Sequence, residues 1–310
     1  MKYTNVLIYP AVAKTKPPRT NFAMHITQPL SYKQGVMSSS PFKPALIVVD
    51  VQNDFVLPVC APKFDLKPAT NRPQTGALSV PHGEEVIAPI NQLLTLPFSL
   101  KIATKDWHPK DHISFASNHP GAVAYSTMTT VKNPKNPSET YESLLWPKHC
   151  VQMTPGASLH RSLDLRRIDK ILEKGTMKEL EMYSAFYPPL ENPRVGDSGL
   201  AKLLRDNSIT DVFCVGLAAD YCVGSTAADA AKEGFRSYII DEATRPVMEE
   251  QWTKDKKNVG NVRKGVNLVH MEGPEVQKVR DIVAEGVKVL HEVKNEGARG
   301  LHISSLPTAK

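Results

Sequence analysis

The sequence predicts an α/β protein: a mostly parallel, doubly wound sheet with helices on both faces, forming a three-layer αβα sandwich. Three observations predict it. Continuous apolar, β-branched runs, such as Ala45 to Val49 and Asp211 to Gly216, have the pattern of strands buried on both faces. Segments with helical spacing alternate with such runs, as parallel strands joined by crossover helices require. The 310 residues are also enough to bury one large core.

In chain order, the first strand is Ala45 to Val49, ending at Asp50. Gln52-Asn53-Asp54-Phe55 follows, then a Pro-rich stretch from Leu57 to Gln74 that reads as an irregular surface loop. Val86, Ile87, Ile90, Leu93 and Leu94 space a helix over Glu84 to Leu96, with Pro89 expected to kink it. Ser99 to Thr104 is the second strand. Between His108 and His149 the abundance of Pro, Asn, Ser and His predicts loops and short helices. Ile168 to Glu173 is a third strand, Ser198 to Asp206 a short helix, and Asp211 to Gly216 the next strand. A helix over Ser225 to Glu233, strands at Phe235 to Asp241 and Val266 to Val269, and an amphipathic helix over Glu275 to Val293 complete the pattern. The chain thus divides into a disordered basic leader (1–40), a catalytic-sized domain (41–272), a C-terminal amphipathic helix (273–296) and a frayed tail (297–310).

The net charge of +6 is carried by residues 1–49, five of the six charges lying in the leader. Residues 1–49 contain Lys2, Lys14, Lys16, Arg19, Lys33 and Lys43 and no acidic residue, while the remaining 32 basic and 32 acidic side chains cancel. A neutral domain argues against a nucleic-acid partner. Apolar runs are too short for a membrane span or a signal peptide, so no membrane partner is expected. Four dispersed cysteines without a C-x-x-C pair point to free thiols in a reducing, cytoplasmic setting. The leader leaves nuclear, peroxisomal or mitochondrial placement open.

Several residues stand where chemistry is placed in such folds. Asp50 lies at the carboxyl end of a buried strand, where open α/β sheets put their ligand crevice, although capping of the next turn explains it equally well. Cys222 sits at a strand-to-helix junction, where unpaired N–H groups and the helix dipole favour a thiolate; a small buried hydrophobe is the competing reading. Asp106 and His108, two apart in extended backbone, face the same side as half of a metal site. His112, His119 and His149 are candidates for a further ligand, while Cys150, facing away from His149, is expected to pack. Lys174, at a strand end, could hold a nearby thiolate or carboxylate, but a lysine there is more often solvated surface, and that reading comes first. Tyr183-Ser184-Ala185-Phe186 is pocket lining or core.

Taken in order, Val48 to Phe55, Lys105-Asp106-Trp107-His108-Pro109, Trp146-Pro147-Lys148-His149-Cys150, Lys174-Gly175 and Gly216 to Val223 closely resemble the motifs of the nicotinamidases, members of the isochorismatase-like cysteine hydrolases. The resemblance runs from about residue 45 to residue 270 and implies the isochorismatase-like hydrolase fold. It implies a catalytic triad of Asp50, Lys174 and Cys222, and one divalent metal held by Asp106, His108 and His149. Zn²⁺ suits these ligands, and Fe²⁺ or Mn²⁺ is also compatible. It further implies an oxyanion hole around a cis Leu217-Ala218 peptide and the Cys222 amide, and a pyridine pocket lined by Phe55, Trp146 and Tyr221. The implied activity is hydrolysis of nicotinamide to nicotinate and ammonia in NAD salvage, with a homo-oligomer compatible. The alternatives are another small-amide hydrolase of the superfamily, metal-free or metal-dependent, although such relatives generally lack this metal set, and a silent binding protein on the same fold, distinguished by lack of turnover.

Overall fold

The computed structural model describes residues 42–56, 76–256 and 264–282. The leader, the Pro-rich stretch and the tail lie outside the described residues, as does the later part of the C-terminal helix. Among the described residues there are eight strands: β1 (Pro44–Val49), β2 (Leu100–Asp106), β3 (Met128–Asn133), β4 (Asn136–Leu144), β5 (Lys170–Lys174), β6 (Asp211–Leu217), β7 (Arg236–Arg245) and β8 (Val266–Val269). Six form one sheet in the order β5-β2-β1-β6-β7-β8, every pair parallel.

The sheet is buried on both sides because alternate residues of each central strand face different helices. Leu46 and Val48 of β1, with Phe213, Val215 and Leu217 of β6, pack on one face against Ile90, Leu93 and Leu94 of α2 (Ile87–Thr95). Val276 and Val279, from the helical residues 274–282, join that face. Ala45, Ile47 and Val49 point the other way, toward Leu200 and Leu204 of α3 (Leu200–Asp206), Ala227 and Ala230 of α4 (Gly224–Lys232) and Trp252 of α5 (Glu249–Lys256). Three layers result, as the sequence predicts. No helix among the described residues is long and apolar enough to cross a membrane.

The chain leaves β1 toward β2 and β5 on one side and later toward β6, β7 and β8 on the other. The direction of winding therefore reverses between β1 and β6, and a crevice opens at the carboxyl ends of the strands there. Asp50 lies at one lip and the turn carrying Cys222 at the other.

Three local expectations are corrected. The region between His108 and His149 contains an antiparallel hairpin of β3 and β4; its polar strands bury few apolar residues, so no alternation marks them in the sequence. The helix expected from Glu84 is a 3-10 turn over Gly83–Val86 that passes into α2. Pro89 does not break α2 because it falls in the first turn, where its missing N–H would have no intrahelical partner. Helix α4 is preceded by a π-helical turn, Ala219–Val223, which carries the cysteine.

Candidate active site

Asp50, Lys174 and Cys222 come together from three strand ends. Asp50 follows β1 with a left-handed backbone (φ 50°). Its Oδ1 accepts a hydrogen bond from the Thr104 hydroxyl at 2.6 Å, and its N–H donates to the same hydroxyl oxygen at 3.2 Å. Its Oδ2 lies 3.0 Å from the Lys174 ammonium. Lys174 ends β5, and its Nζ also reaches Asp106 Oδ1 at 2.5 Å, the Met182 carbonyl at 3.1 Å and Cys222 Sγ at 3.5 Å. The surface-lysine reading of Lys174 is thus corrected: the residue is 1 % exposed, and its polar partners all lie in the crevice.

Burial and charge set the protonation states. Burial pushes the Asp50 carboxyl up to about 6, against the pull of Lys174. Burial opposes the charge on Lys174, but Asp106, Asp50 and Cys222 together hold its ammonium well above the ordinary lysine range. The Cys222 thiol is pushed well above its usual range by burial, with Lys174 opposing and the two aspartates adding to the rise. The sequence leads to a lowered thiol at a helix end; burial, the largest contribution, raises it instead. A carboxyl raised to about 6 and an ammonium stand beside that thiol.

The second cluster is Asp106, His108 and His149, whose ligand atoms lie within 4.8 Å of one another in buried positions. Asp106 Oδ2 is 3.5 Å from His108 Nε2 and 4.0 Å from His149 Nε2. His108 Nδ1 donates to the Gly175 carbonyl at 2.9 Å, and His149 Nδ1 to the Pro147 carbonyl at 2.7 Å. Carbonyls only accept, so both rings carry hydrogen on Nδ1 and direct Nε2 toward the carboxylate. His108 Nε2 is buried without a hydrogen-bond partner. A buried ring nitrogen of this kind, on a ring oriented by a backbone carbonyl, becomes a metal ligand once its proton is displaced, so the donor set fits a divalent ion. Burial and the neighbouring His108 lower His149 to about 4, which keeps its imidazole neutral. Lys174, His108 and His149 outweigh the burial of Asp106 and hold it far below the carboxylate range. Gly175, at φ +64°, is the residue that lets the β5 end pass His108, since a Cβ there would stand 2.4 Å from the ring.

Neither other candidate histidine joins the cluster. His112 stacks on His108 at 4.1 Å between ring centroids, and its nitrogens are bound by Ser114 and the Leu180 carbonyl. His119 bonds the Ile113 carbonyl at 2.7 Å. Cys150 is buried as packing, as expected.

Trp146 and Tyr221 meet edge to face at 4.9 Å, and Phe55 lies 5.5 Å from the His149 ring. Tyr183 packs on Tyr221 at 5.4 Å, and its hydroxyl accepts the Trp146 indole N–H at 3.0 Å. The Leu217-Ala218 peptide is cis, as the resemblance implies. Thr104 and Gln52 escape sequence reasoning altogether; a polar residue buried with its hydrogen bonds satisfied leaves no periodic signal. Gln52 donates to the Asp106 carbonyl and accepts from the Asp106 N–H, both at 2.8 Å, holding that residue by its backbone.

The model of the isochorismatase domain matches residues 44–263. The nicotinamidase of Acinetobacter baylyi is 40 % identical over 203 residues, covering 66 % of this chain and 81 % of its own. Among solved structures, the yeast nicotinamidase Pnc1p bound to the inhibitor nicotinaldehyde superposes with a TM-score of 0.61 at 34 % identity, over 73 % of this chain and 99 % of that one. The pyrazinamidase of Pyrococcus horikoshii in complex with zinc gives 0.51 at 33 % identity, over 74 % and 99 %. With the sheet order, the buried cysteine and these likenesses in hand, the chain belongs to the isochorismatase domain family of hydrolases.

Proposed function

We propose that this chain is a nicotinamide amidohydrolase, producing nicotinate and ammonia for NAD salvage through a cysteine thioester. The observation that carries the reading is the Lys174 ammonium, which touches the base, the thiol and the acidic member of the metal donor set at once. The similarity to nicotinamidases supports the choice of substrate.

Asp50 takes the Cys222 proton, and Lys174 stabilises the resulting thiolate at 3.5 Å. The sulfur attacks the carboxamide carbon, forming the C–S bond and moving negative charge to the carbonyl oxygen. Backbone N–H groups of the Leu217-Ala218 segment and of Cys222 are assigned to that oxygen, each donor contributing about 3 kcal/mol. Asp50 returns its proton to the nitrogen as the C–N bond breaks, and ammonia leaves. A water then gives a proton to Asp50 and its oxygen to the acyl carbon; the C–S bond breaks, and Asp50 reprotonates the sulfur.

Asp106, His108 and His149 would hold one divalent ion, with Zn²⁺ the best match to one carboxylate and two imidazoles. When bound, the ion supplies a Lewis acid for a pyridine nitrogen, which orients the substrate. Phe55, Trp146 and Tyr221 are assigned to the ring. Metal analysis combined with ammonia release from nicotinamide tests the reading. About one equivalent of metal and turnover abolished in Cys222→Ala are expected; full activity in Cys222→Ala, or no turnover of nicotinamide by the metal-loaded protein, overturns it.

A further inference from the structure

The segment after β1 holds an acidic residue that the reaction does not use. Asp54, in the single helical turn α1 (Asn53–Val56), is buried, and its carboxylate is bound by backbone alone. Oδ1 accepts the Ala77 N–H at 3.0 Å and Oδ2 the Cys150 N–H at 2.7 Å. Cys150 directly follows the metal-ligand candidate His149 and has a left-handed backbone (φ 44°), a conformation that a non-glycine residue keeps only when its surroundings enforce it. Its carbonyl in turn accepts the His108 N–H at 3.0 Å, and the His108 carbonyl accepts the Gln152 N–H at 2.8 Å. The two histidine-bearing segments are thus joined through the Cys150 residue, and Asp54 holds its N–H. The carboxylate also lies flat against Gly156, where a Cβ would stand 2.3 Å from Oδ2.

We infer that Asp54 is a positioning residue for the metal site: by holding the Cys150 N–H it fixes the His149–Cys150 turn, and so the direction of the His149 ring. This inference rests on the reading of Asp106, His108 and His149 as the metal ligands. Outer groups that orient metal-binding histidines typically govern affinity by about ten- to a hundredfold. Asp54→Asn keeps the shape but places an amide NH₂ against one of the two N–H donors. Gly156→Ala leaves Asp54 in place and pushes its carboxylate aside, a route to the same defect that alters neither the acid nor any ligand.

The test is zinc affinity of the full chain by competition with a chromophoric chelator, well below the unfolding midpoint. Asp54→Asn and Gly156→Ala are each expected to weaken zinc binding by about tenfold or more. Leu204→Val, in the core on the opposite face of the sheet, is expected to lower the unfolding midpoint and leave zinc affinity unchanged. Parent-like zinc affinity in both site variants, or equal weakening by Leu204→Val, overturns the inference. His149→Ala separates the two levels: if it binds zinc as the parent does, the ligand assignment itself fails.

Discussion

Lys174 and Asp106 are joined by a 2.5 Å ion pair, so the ammonium beside the proposed nucleophile rests on a carboxylate of the proposed metal donor set. The two clusters share one charge. Ionisation of the thiol and occupation of the proposed metal site are expected to be linked through this buried contact, which gives opposite signs to two substitutions. Lys174→Met removes the cation 3.5 Å from the sulfur and should slow alkylation of Cys222 by iodoacetamide at neutral pH. Asp106→Asn removes a negative charge that raises the thiol and should speed it. The rate of alkylation against pH in metal-stripped protein measures both; equal shifts in the same direction would show that the pair does not tune the sulfur.

The pH profile should carry an acid limb from Asp50. As a base it must be ionised, so kcat/KM is expected to rise as pH rises through about 6. Thr104 donates to this carboxylate at 2.6 Å and holds its pKa down, so Thr104→Val should move the limb to higher pH. The effect on stability has the opposite sense. Because the folded Asp50 binds its proton more tightly than the unfolded chain does, its contribution is full below the ordinary carboxylate value of 3.8 and is lost as pH rises toward about 6. An acid limb unmoved in Thr104→Val would assign it to another group.

Gly175→Ala should damage the metal site without touching a ligand. Its new Cβ would stand 2.4 Å from the His108 ring, and a left-handed alanine costs about 1–2 kcal/mol in addition. Weaker zinc binding together with a lowered unfolding midpoint is the expected result, measured by chelator competition and thermal denaturation. An alanine variant with parent-like zinc affinity would show that the Gly175 carbonyl does not set the His108 ring.

Tyr183→Phe tests the aromatic wall. The lost hydroxyl accepts the Trp146 indole N–H and lies 3.2 Å from Ser143 Oγ, so the substitution leaves a buried N–H unpaired at a cost of about 1–3 kcal/mol. Trp146 forms the wall with Tyr221, so KM for nicotinamide should rise more than kcat falls. Steady-state kinetics decide it; a fall in kcat alone would move Tyr183 out of the pocket and into the chemistry.

What was legible in the sequence follows from how each element is stabilised. β1 and β6 lie between two helical layers, so both faces must be apolar and the runs stand out. The β3–β4 hairpin was hidden because Val131 is the one fully buried apolar residue in its two strands, and polar contacts such as Asn133 with Glu139 accompany it. Lys174 illustrates the harder case. A buried lysine differs from a surface one only through carboxylates that are distant in the chain, so composition and spacing could not separate the two readings, whereas the order of motifs could. Thr104, Gln52 and Asp54 contribute by holding other groups, and such support shows only when their partners are seen.

The strand order has a consequence for how activity is acquired. Asp106 and Lys174 end β2 and β5, and Asp50 and Cys222 come just after β1 and β6; these are four adjacent strands of the sheet but far apart in the chain. Pairing of β1 with β6 closes a loop of more than 150 residues, a slow, non-local event compared with helix formation. During refolding, far-UV signal should therefore recover before ammonia release does, and a chain ending before β6 would retain no fraction of the activity. Catalytic competence in this protein reports the completed assembly of its central sheet.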